Sequence, residues 1–192
     1  MNICVYGAAS GAIDKTYLDA GHELGKRLAL RGHNLIFGGG DTGMMGAVAR
    51  GAHAGGGHVT GVAPTFFNVP GILYPQNDVL IYTETMRLRK QKMEDLSDGF
   101  IVSPGGIGTF EEFFEMLTAK QLGQMKKPIA ILNTGCYYDP MFAMMRHTAE
   151  TNFMDPKNFM LFFVSDDIDK VLDYIENPDD VSVDFRELRH YH

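Results

Sequence analysis

Short apolar runs alternate with helical patterns along almost the whole chain, and no other feature of the sequence limits the fold as strongly. Apolar runs of about 4–8 residues, rich in Val, Ile, Leu and Phe, are typical of strands buried on both faces. Strands that alternate with helices build parallel βαβ units, whose right-handed crossovers place helices on both sides of the sheet. The sequence therefore predicts an α/β fold in which a parallel sheet lies between two layers of helices.

The alternation extends over residues 1–176 of the 192, a length that fits one domain. We predict a single Rossmann-like domain, a three-layer sandwich with a mostly parallel sheet of about seven strands. A polar C-terminal tail follows at residues 177–192. The predicted strands are residues 2–6, 34–37, 58–63, 78–82, 99–103, 128–132 and 160–164, and the predicted helices are residues 14–30, 43–54, 85–96, 109–122, 140–150 and 166–175.

Charge and composition exclude several classes of protein. The chain has 17 basic and 24 acidic residues, a net charge of −7, which argues against general nucleic-acid binding. No apolar run approaches the roughly 20 residues that cross a bilayer, so we expect no membrane insertion. The first 20 residues do not resemble a signal peptide, and the two cysteines are too few for a disulfide framework. We expect a soluble, cytoplasmic protein.

Glycine-rich turns follow three of the predicted strands, at residues 7–11, 38–43 and 104–109. Because ligands of parallel sheets bind outside the carboxyl ends of the strands, these turns locate the predicted site. The turn at 38–43 matches G-x-G-x-x-G, but the next strand does not end in the acidic residue that would hold a dinucleotide ribose. Close packing of a helix on its strand accounts for part of this pattern. Ser10 in the first turn and Gly40 in the second are predicted ligand contacts.

The third turn, with the sequence PGGIGT, gives the strongest indication of a bound anion. It joins a predicted strand to a predicted helix, so its amides and the positive end of the helix dipole converge on one point. No lysine follows as in a P-loop, so we predict a site for a monophosphate rather than for nucleoside triphosphate hydrolysis. The residues predicted to hold the phosphate are Gly105, Gly106, Ile107, Gly108 and Thr109.

Two glutamates follow this turn, and the sequence leaves two interpretations of them open. Thr109 and Glu112 have the spacing of a capping box, with Thr109 as the N-cap of the helix. Alternatively, a carboxylate beside a bound phosphate addresses another part of the ligand, such as a sugar. The spacing alone does not separate Glu111 from Glu112, although a helix points the two side chains about 100° apart.

A basic segment, residues 86–93, lies on a predicted helix in this otherwise acidic chain. Helical spacing places Arg89 and Lys90 on one face with three apolar residues, so we predict that this face points inward. Partly buried cations need an anionic partner. Two partners fit Arg89: a bound anion, favoured by the position of the helix at the same edge of the sheet, or a carboxylate at the edge of the core. The apolar residues of this face are Met86, Met93 and Leu96.

Residues 64–78 contain three prolines and no helical periodicity, so they are predicted to form an ordered loop in place of a helix. The loop carries Phe66, Phe67 and Tyr74. These aromatic side chains either pin the loop to the body of the protein, which we favour, or contribute to the site.

The sequence resembles the LOG ("Lonely guy") family, the cytokinin riboside 5′-monophosphate phosphoribohydrolases that are often labelled lysine decarboxylases. Residues 104–112 match the motif PGGxGTxxE, and residues 86–90 match MxxRK. The resemblance continues through GGGxxGMMG at 38–46, QLG at 121–123 and YDP at 138–140, in family order. It covers nearly the whole chain.

This resemblance implies hydrolysis of the N-glycosidic bond of an N6-modified adenosine 5′-monophosphate, or of AMP, to free base and ribose 5-phosphate. Arg89 and Glu112 would be catalytic: Glu112 would contact the ribose and stabilise oxocarbenium-like charge or position water, and Arg89 would orient the nucleotide. Met86 and Lys90 would line the pocket. The resemblance also implies a homodimer or a higher homo-oligomer.

Two other functions stay open: a nucleotide or molybdenum-cofactor carrier without catalysis, and a general purine-monophosphate nucleosidase. A lysine decarboxylase would need pyridoxal phosphate bound to a lysine, which the sequence does not single out. The histidines are scattered, and His190 and His192 lie in the tail. We therefore predict neither a cofactor nor a metal site.

Overall fold

Strand β1 (Asn2–Tyr6) lies at the centre of the sheet and contributes side chains to the core on both faces. Ile3 and Val5 belong to one core cluster, Cys4 and Tyr6 to the other, and all four are almost completely buried. This alternation in an apolar strand is what a parallel sheet covered on both sides requires. The computed structural model describes residues 1–179 of the chain.

Within the described residues the sheet has seven strands in the order β4-β3-β2-β1-β5-β6-β7, and neighbouring strands all pair in parallel. The predicted Rossmann-like α/β sandwich is confirmed. The bounds of six strands agree with the predicted ones to within one residue. The strands after β1 are β2 (Asn34–Phe37), β3 (Val59–Pro64), β4 (Val79–Thr83), β5 (Gly99–Val102), β6 (Ile129–Leu132) and β7 (Phe163–Ser165).

Strand β7 differs from its prediction, which was residues 160–164. Residues Pro156–Met160 form a turn of 3-10 helix, which begins with a proline and with the Asp155 side chain accepting a hydrogen bond from the Lys157 amide. The apolar run therefore begins in this turn, and pairing with β6 starts only at Phe163.

The six α-helices of the described chain connect the strands, and polar side chains define where several of them begin. Asp14, Thr85 and Asp167 each accept a hydrogen bond from an amide in the first turn of the helix that follows. The helices are α1 (Lys15–Leu30), α2 (Gly43–Ala54), α3 (Met86–Leu96), α4 (Ile107–Gln121), α5 (Asp139–Glu150) and α6 (Ile168–Glu176).

The helices form two layers, one on each face of the sheet. Helices α1, α2 and α6 pack on the face that contains Ile3, through Leu24, Val48 and Leu172. Helices α3, α4 and α5 pack on the opposite face; their core residues include Met93, Phe113 and Met141. The layer that contains α3 and α4 is the one that carries the predicted catalytic residues.

The strand order reverses direction between β1 and β5. The chain moves outward from β1 to the edge strand β4 and then returns to place β5 on the other side of β1. A crevice forms at such a reversal because the connections leave the two strands toward opposite sides, and ligands of this fold class bind there. The turn after β1 and the turn after β5 therefore meet at the carboxyl edge of the sheet.

The segment 64–78 is an ordered loop, as predicted. It begins with a short 3-10 turn (Thr65–Phe67), and Leu73 forms an isolated antiparallel bridge with Gly40. Tyr74 is buried and pins the loop to the body, whereas Phe66 is 58% exposed and does not. The loop therefore covers the glycine turn that follows β2.

Among residues 1–179, no helix is both long and apolar enough to cross a membrane. Most of the predicted tail, from residue 180 to His192 and including His190, lies outside the described residues.

Candidate active site

Arg89 of α3 and Glu112 of α4 form a buried ion pair beneath the carboxyl edge of the sheet. The Arg89 Nη1 lies 3.0 Å from the Glu112 Oε1, and the Arg89 Nε donates a hydrogen bond of 3.1 Å to the Val62 carbonyl at the end of β3. The two side chains are only 7% and 9% exposed. Arg89 thus has the carboxylate partner that was the alternative in the sequence analysis, and this partner is the other predicted catalytic residue.

Gly38 makes room for this ion pair. A Cβ at this position would overlap the Arg89 Nη2, so a residue with a side chain would displace the guanidinium. The glycine turn after β2 therefore serves the site through packing. The G-x-G-x-x-G pattern located the turn, but it did not indicate that Gly38 leaves space for the Arg89 guanidinium.

Lys90, the next residue on α3, forms its ion pairs on a different side of α4. Its Nζ contacts the Glu111 carboxylate and lies 2.7 Å from the Glu115 Oε2. Burial lowers the pKa of Lys90, but the hydrogen bonds to Glu111 and Glu115 outweigh it, so its pKa lies above the ordinary value. Glu111 is therefore directed away from Arg89, and Glu112 is the carboxylate that the helix turns inward.

The environment of Glu112 shifts its ionisation strongly. Burial raises the pKa of Glu112 from 4.5 to about 7, although the charge and the hydrogen bond of Arg89 act in the opposite direction. A carboxyl group that titrates near neutral pH in a cleft is characteristic of functional sites.

Helix α4 begins at Ile107, and Gly106 occupies the N-cap position. Of the two interpretations left open by the sequence, the capping box with Thr109 as N-cap and Glu112 as its partner is therefore wrong. Thr109 lies inside the first turn, where it is buried and packs so closely over Gly105 that a Cβ at Gly105 would overlap its side chain. Two residues precede Thr109 in the helix because glycine can end the turn without a capping side chain.

The other two glycines of this turn face open space. A Cβ at Gly106 or Gly108 would meet no atom within 4 Å, and neither residue has a positive φ. Internal packing therefore does not explain these glycines, whereas close approach of a ligand to the backbone does. Ile107, between them, is 86% exposed.

The remaining predicted contacts differ in position. Ser10 is exposed, and its Oγ accepts a hydrogen bond of 3.3 Å from the Ala12 amide. Gly40 lies below the loop 64–78.

Met86 is 38% exposed at the start of α3, so the prediction that it points inward with Met93 is wrong. The buried residues of α3 are Arg89, Lys90 and Met93.

A cavity of about 280 Å³ extends from Arg89 toward β2 and the covering loop. Its walls come from the glycine turns and from apolar loop side chains. The lining includes Ala9, Gly38, Gly40, Phe67, Ile72 and Leu73. Phe67 and Leu73 show that the loop also contributes to the site.

Two tyrosines that follow β6 reach the PGGIGT turn (residues 104–109) and the strand before it, and the sequence analysis did not assign them. The Tyr137 hydroxyl donates to the Gly105 carbonyl over 2.8 Å, and the Tyr138 hydroxyl donates to the Ser103 carbonyl over 2.7 Å. The available signal was their place in the connection that leaves the carboxyl end of β6, with four residues between Leu132 and Tyr137. Within residues 1–179 no group of three or more His, Cys, Asp or Glu side chains is placed to hold a metal ion.

Comparison with known proteins identifies the family. The family model described as "Possible lysine decarboxylase" matches residues 45–175. A probable cytokinin riboside 5′-monophosphate phosphoribohydrolase, LOGL3 of Oryza sativa subsp. japonica, is 35% identical over 173 residues, which are 90% of this chain and 82% of that protein. The cytokinin riboside 5′-monophosphate phosphoribohydrolase LOG2 of Arabidopsis thaliana is 36% identical over 152 residues, 79% of this chain and 71% of that protein.

Solved structures share the fold. The molybdenum cofactor carrier protein of Chlamydomonas reinhardtii superposes with a TM-score of 0.68 over 91% of this chain and 95% of its own, at 24% identity. The extent of the sequence matches decides the assignment: the chain belongs to the LOG family of cytokinin riboside 5′-monophosphate phosphoribohydrolases.

Proposed function

We propose that this chain hydrolyses the N-glycosidic bond of a nucleoside 5′-monophosphate, an N6-modified AMP or AMP itself, and releases free base and ribose 5-phosphate. The observation that carries this proposal is the buried ion pair between Arg89 and Glu112, in which Glu112 lies about one and a half helical turns after the start of α4. The names of the relatives in Oryza and Arabidopsis support the same reaction.

The order of groups along α4 matches the order of groups in a nucleotide. The exposed amides of Gly106 and Gly108 lie at the positive end of the helix, where a 5′-phosphate binds. Glu112 follows Thr109 by about 4.5 Å along the helix axis. A nucleotide with its phosphate at the turn would therefore place its ribose near the Glu112 carboxylate.

Cleavage of the glycosidic bond leaves positive charge on the sugar, and a fixed carboxylate stabilises that charge. Glu112 either provides this stabilisation directly or orients the attacking water. Arg89 keeps the carboxylate in place through Nη1 and is itself held by the Val62 carbonyl. Because both groups are positioned before the substrate binds, little reorganisation accompanies the reaction.

The cavity beside Arg89 suits the base of the same nucleotide. It begins at the ion pair and continues between the glycine turn after β2 and the loop side chains of Phe67, Ile72 and Leu73. Apolar walls with a few polar groups are typical of pockets for planar, partly apolar ligands. We expect the loop to select among N6 substituents.

The test is incubation of the purified protein with AMP, with isopentenyladenosine monophosphate and with adenosine, followed by chromatography of free base and ribose 5-phosphate. We expect release from the two monophosphates and much less from adenosine, which has no phosphate to bind. Preference for the isopentenyl compound indicates cytokinin activation, and equal rates indicate a general purine-monophosphate nucleosidase.

Binding of both monophosphates without cleavage would contradict the proposal and favour a carrier. Glu112→Gln is the control, because it preserves the size of the side chain and removes its charge. We also propose that the chain forms at least a dimer, which light scattering of the same preparation measures.

A further inference from the structure

The segment that joins β6 to α5 makes hydrogen bonds to the turn at residues 104–109 and to the strand before it. We call this turn the phosphate turn, because the proposed function places the 5′-phosphate there. The Tyr137 hydroxyl donates a 2.8 Å hydrogen bond to the Gly105 carbonyl, while Tyr138 donates to the Ser103 carbonyl and also approaches the Gly105 amide. The Gly105 carbonyl is therefore oriented by a side chain from another part of the chain, and the carbonyl of Ser103 by the neighbouring tyrosine.

Because a peptide bond is planar and trans, the hydrogen bond from Tyr137 to the Gly105 carbonyl also determines the direction of the next amide N–H. In a planar trans peptide the C=O of one residue and the N–H of the following residue point in opposite directions. Because Tyr137 draws the Gly105 carbonyl to its own side of the turn, the Gly106 N–H is turned to the opposite side of the peptide, and Gly106 itself is exposed. The preceding peptide is held too, since the Pro104 carbonyl accepts a hydrogen bond of 3.2 Å from the Ala8 amide.

Tyr137 is well placed to act in this way because its own position is fixed. The Asn133 side chain accepts a 2.7 Å hydrogen bond from the Tyr138 amide and donates one of 2.9 Å to Asp139. The ring of Tyr137 packs edge-on against Tyr17 and Tyr138, with centroid distances of 5.6 and 5.0 Å. A rigid donor can hold a carbonyl in one orientation, whereas a mobile one cannot.

We propose that Tyr137 is a positioning residue for the phosphate site: it fixes the Gly105–Gly106 peptide so that the Gly106 amide faces the 5′-phosphate before the substrate binds. The inference rests on the proposed function insofar as the anion at this turn is the phosphate of a nucleotide. Tyr137 itself does not touch the substrate. Its effect should therefore appear only with ligands that carry a phosphate.

The test compares Tyr137→Phe, which removes only the hydroxyl, with Tyr17→Phe, which removes a hydroxyl from the neighbouring ring. Binding of ribose 5-phosphate and of ribose is measured by calorimetry, and kcat/KM is measured for AMP and for adenosine. We expect Tyr137→Phe to weaken ribose 5-phosphate binding about tenfold, as the loss of one well-formed hydrogen bond predicts. It should lower kcat/KM for AMP to the same extent and leave ribose binding and adenosine cleavage unchanged.

A purely structural role would lower AMP and adenosine activity together, and this outcome would overturn the assignment. So would unchanged ribose 5-phosphate binding in Tyr137→Phe, or failure of the natural chain to bind ribose 5-phosphate or inorganic phosphate. As a second measurement, the Gly106 amide resonance should shift in Tyr137→Phe and respond less to ribose 5-phosphate; an unchanged resonance contradicts the proposal.

The calorimetric measurement of ribose 5-phosphate binding does not depend on whether the protein cleaves a nucleotide. If the natural chain binds ribose 5-phosphate but cleaves neither monophosphate, the proposed reaction fails while the role of Tyr137 is still decided by calorimetry. If cleavage is normal and Tyr137→Phe behaves like Tyr17→Phe, only the inference about Tyr137 fails.

Discussion

Helices α3 and α4 are joined by two sets of ion pairs that start from neighbouring residues and differ greatly in their surroundings. Arg89 and Glu112 have side chains 7% and 9% exposed, whereas Lys90, itself only 10% exposed, meets Glu111 and Glu115, which are 54% and 46% exposed. Both sets join a cation of α3 to carboxylates of α4. Of these five residues, Arg89 is the one that lines the cavity of about 280 Å³.

Under the proposed function, the buried pair takes part in the chemistry, whereas the ion pairs of Lys90 join the two helices. Burial of two charges costs free energy that the mutual attraction often fails to recover, so a buried ion pair is weak evidence for a stabilising role. The pKa of Glu112, raised by burial to about 7, reflects this cost. In the half-exposed set, solvent screens the charges, and the contacts mainly fix the packing of the two helices.

The largest difference between the two sets should appear in catalysis. Glu112→Gln should lower kcat by about 10²–10³, because one preorganised electrostatic group commonly contributes that much. Glu111→Gln, the same change one residue earlier on the helix, should leave kcat close to that of the natural chain. Steady-state kinetics with AMP measures kcat for both variants. An equal loss of kcat in the two variants would contradict the proposal that the buried glutamate, and not the exposed one, acts in catalysis.

The next largest effect concerns stability. Arg89→Met should destabilise the fold by about 3–5 kcal/mol at pH 8, because it leaves the Glu112 carboxylate buried without its cation. Lys90→Met should cost only about 1 kcal/mol, since both of its glutamates can turn to solvent. Urea denaturation measures both values.

At pH 5 the cost of Arg89→Met should shrink, because Glu112 is then neutral. A cost that is the same at pH 5 and pH 8 would mean that lost packing, rather than an unpaired charge, is responsible.

The pH dependence of the natural chain provides a smaller but more specific effect. If the ionised carboxylate is the active form, kcat/KM should fall as the pH drops below about 7, following the raised pKa of Glu112. Because the folded-state pKa of Glu112 lies above its ordinary 4.5, this group favours the fold below about pH 4.5, and that contribution is lost as the pH rises through 7.

Two measurements check this, namely the pH profile of kcat/KM and the difference in unfolding free energy between the natural chain and Glu112→Gln. Relative to Glu112→Gln, the natural chain should lose stability between pH 4.5 and 7. A flat difference over this interval would remove Glu112 as the titrating group.

The smallest effect should come from Glu115→Gln. Glu111 still pairs with Lys90 in this variant, so the loss should be a few tenths of a kcal/mol and should disappear in high salt. Urea denaturation at two salt concentrations measures the change in unfolding free energy. A loss above about 1 kcal/mol would mean that the ion pair between Lys90 and Glu115 is not screened by solvent as expected.

The fold follows from the sequence to a large extent because each strand of a parallel sheet is apolar along its whole length. Strand β7 is the exception, since the apolar run at 160–164 begins inside the 3-10 turn that Pro156 starts. Helix α4 starts at Ile107 rather than Thr109 because Gly106 caps it by backbone conformation alone, which no side-chain pattern can indicate.

The site follows from the sequence only in part. The family motif selected Arg89 and Glu112, whereas helical spacing alone did not separate Glu112 from Glu111. That the two residues pair with each other depends on the distance between α3 and α4, which is set by tertiary packing. The contact of Tyr137 with Gly105 joins residues 32 positions apart and has no local signature.

The reversal of strand order at β1 has a consequence for how this chain becomes active. Residues 2–96 build the sheet from β1 to β4 with α1 to α3, and residues 99–176 build the sheet from β5 to β7 with α4 to α6. Arg89 belongs to the first half and Glu112 to the second, so the ion pair spans the seam between them. During synthesis on the ribosome the first half can assemble while the second is still being made. The proposed cleavage activity then requires that the two halves have joined, because neither half contains both residues of the ion pair.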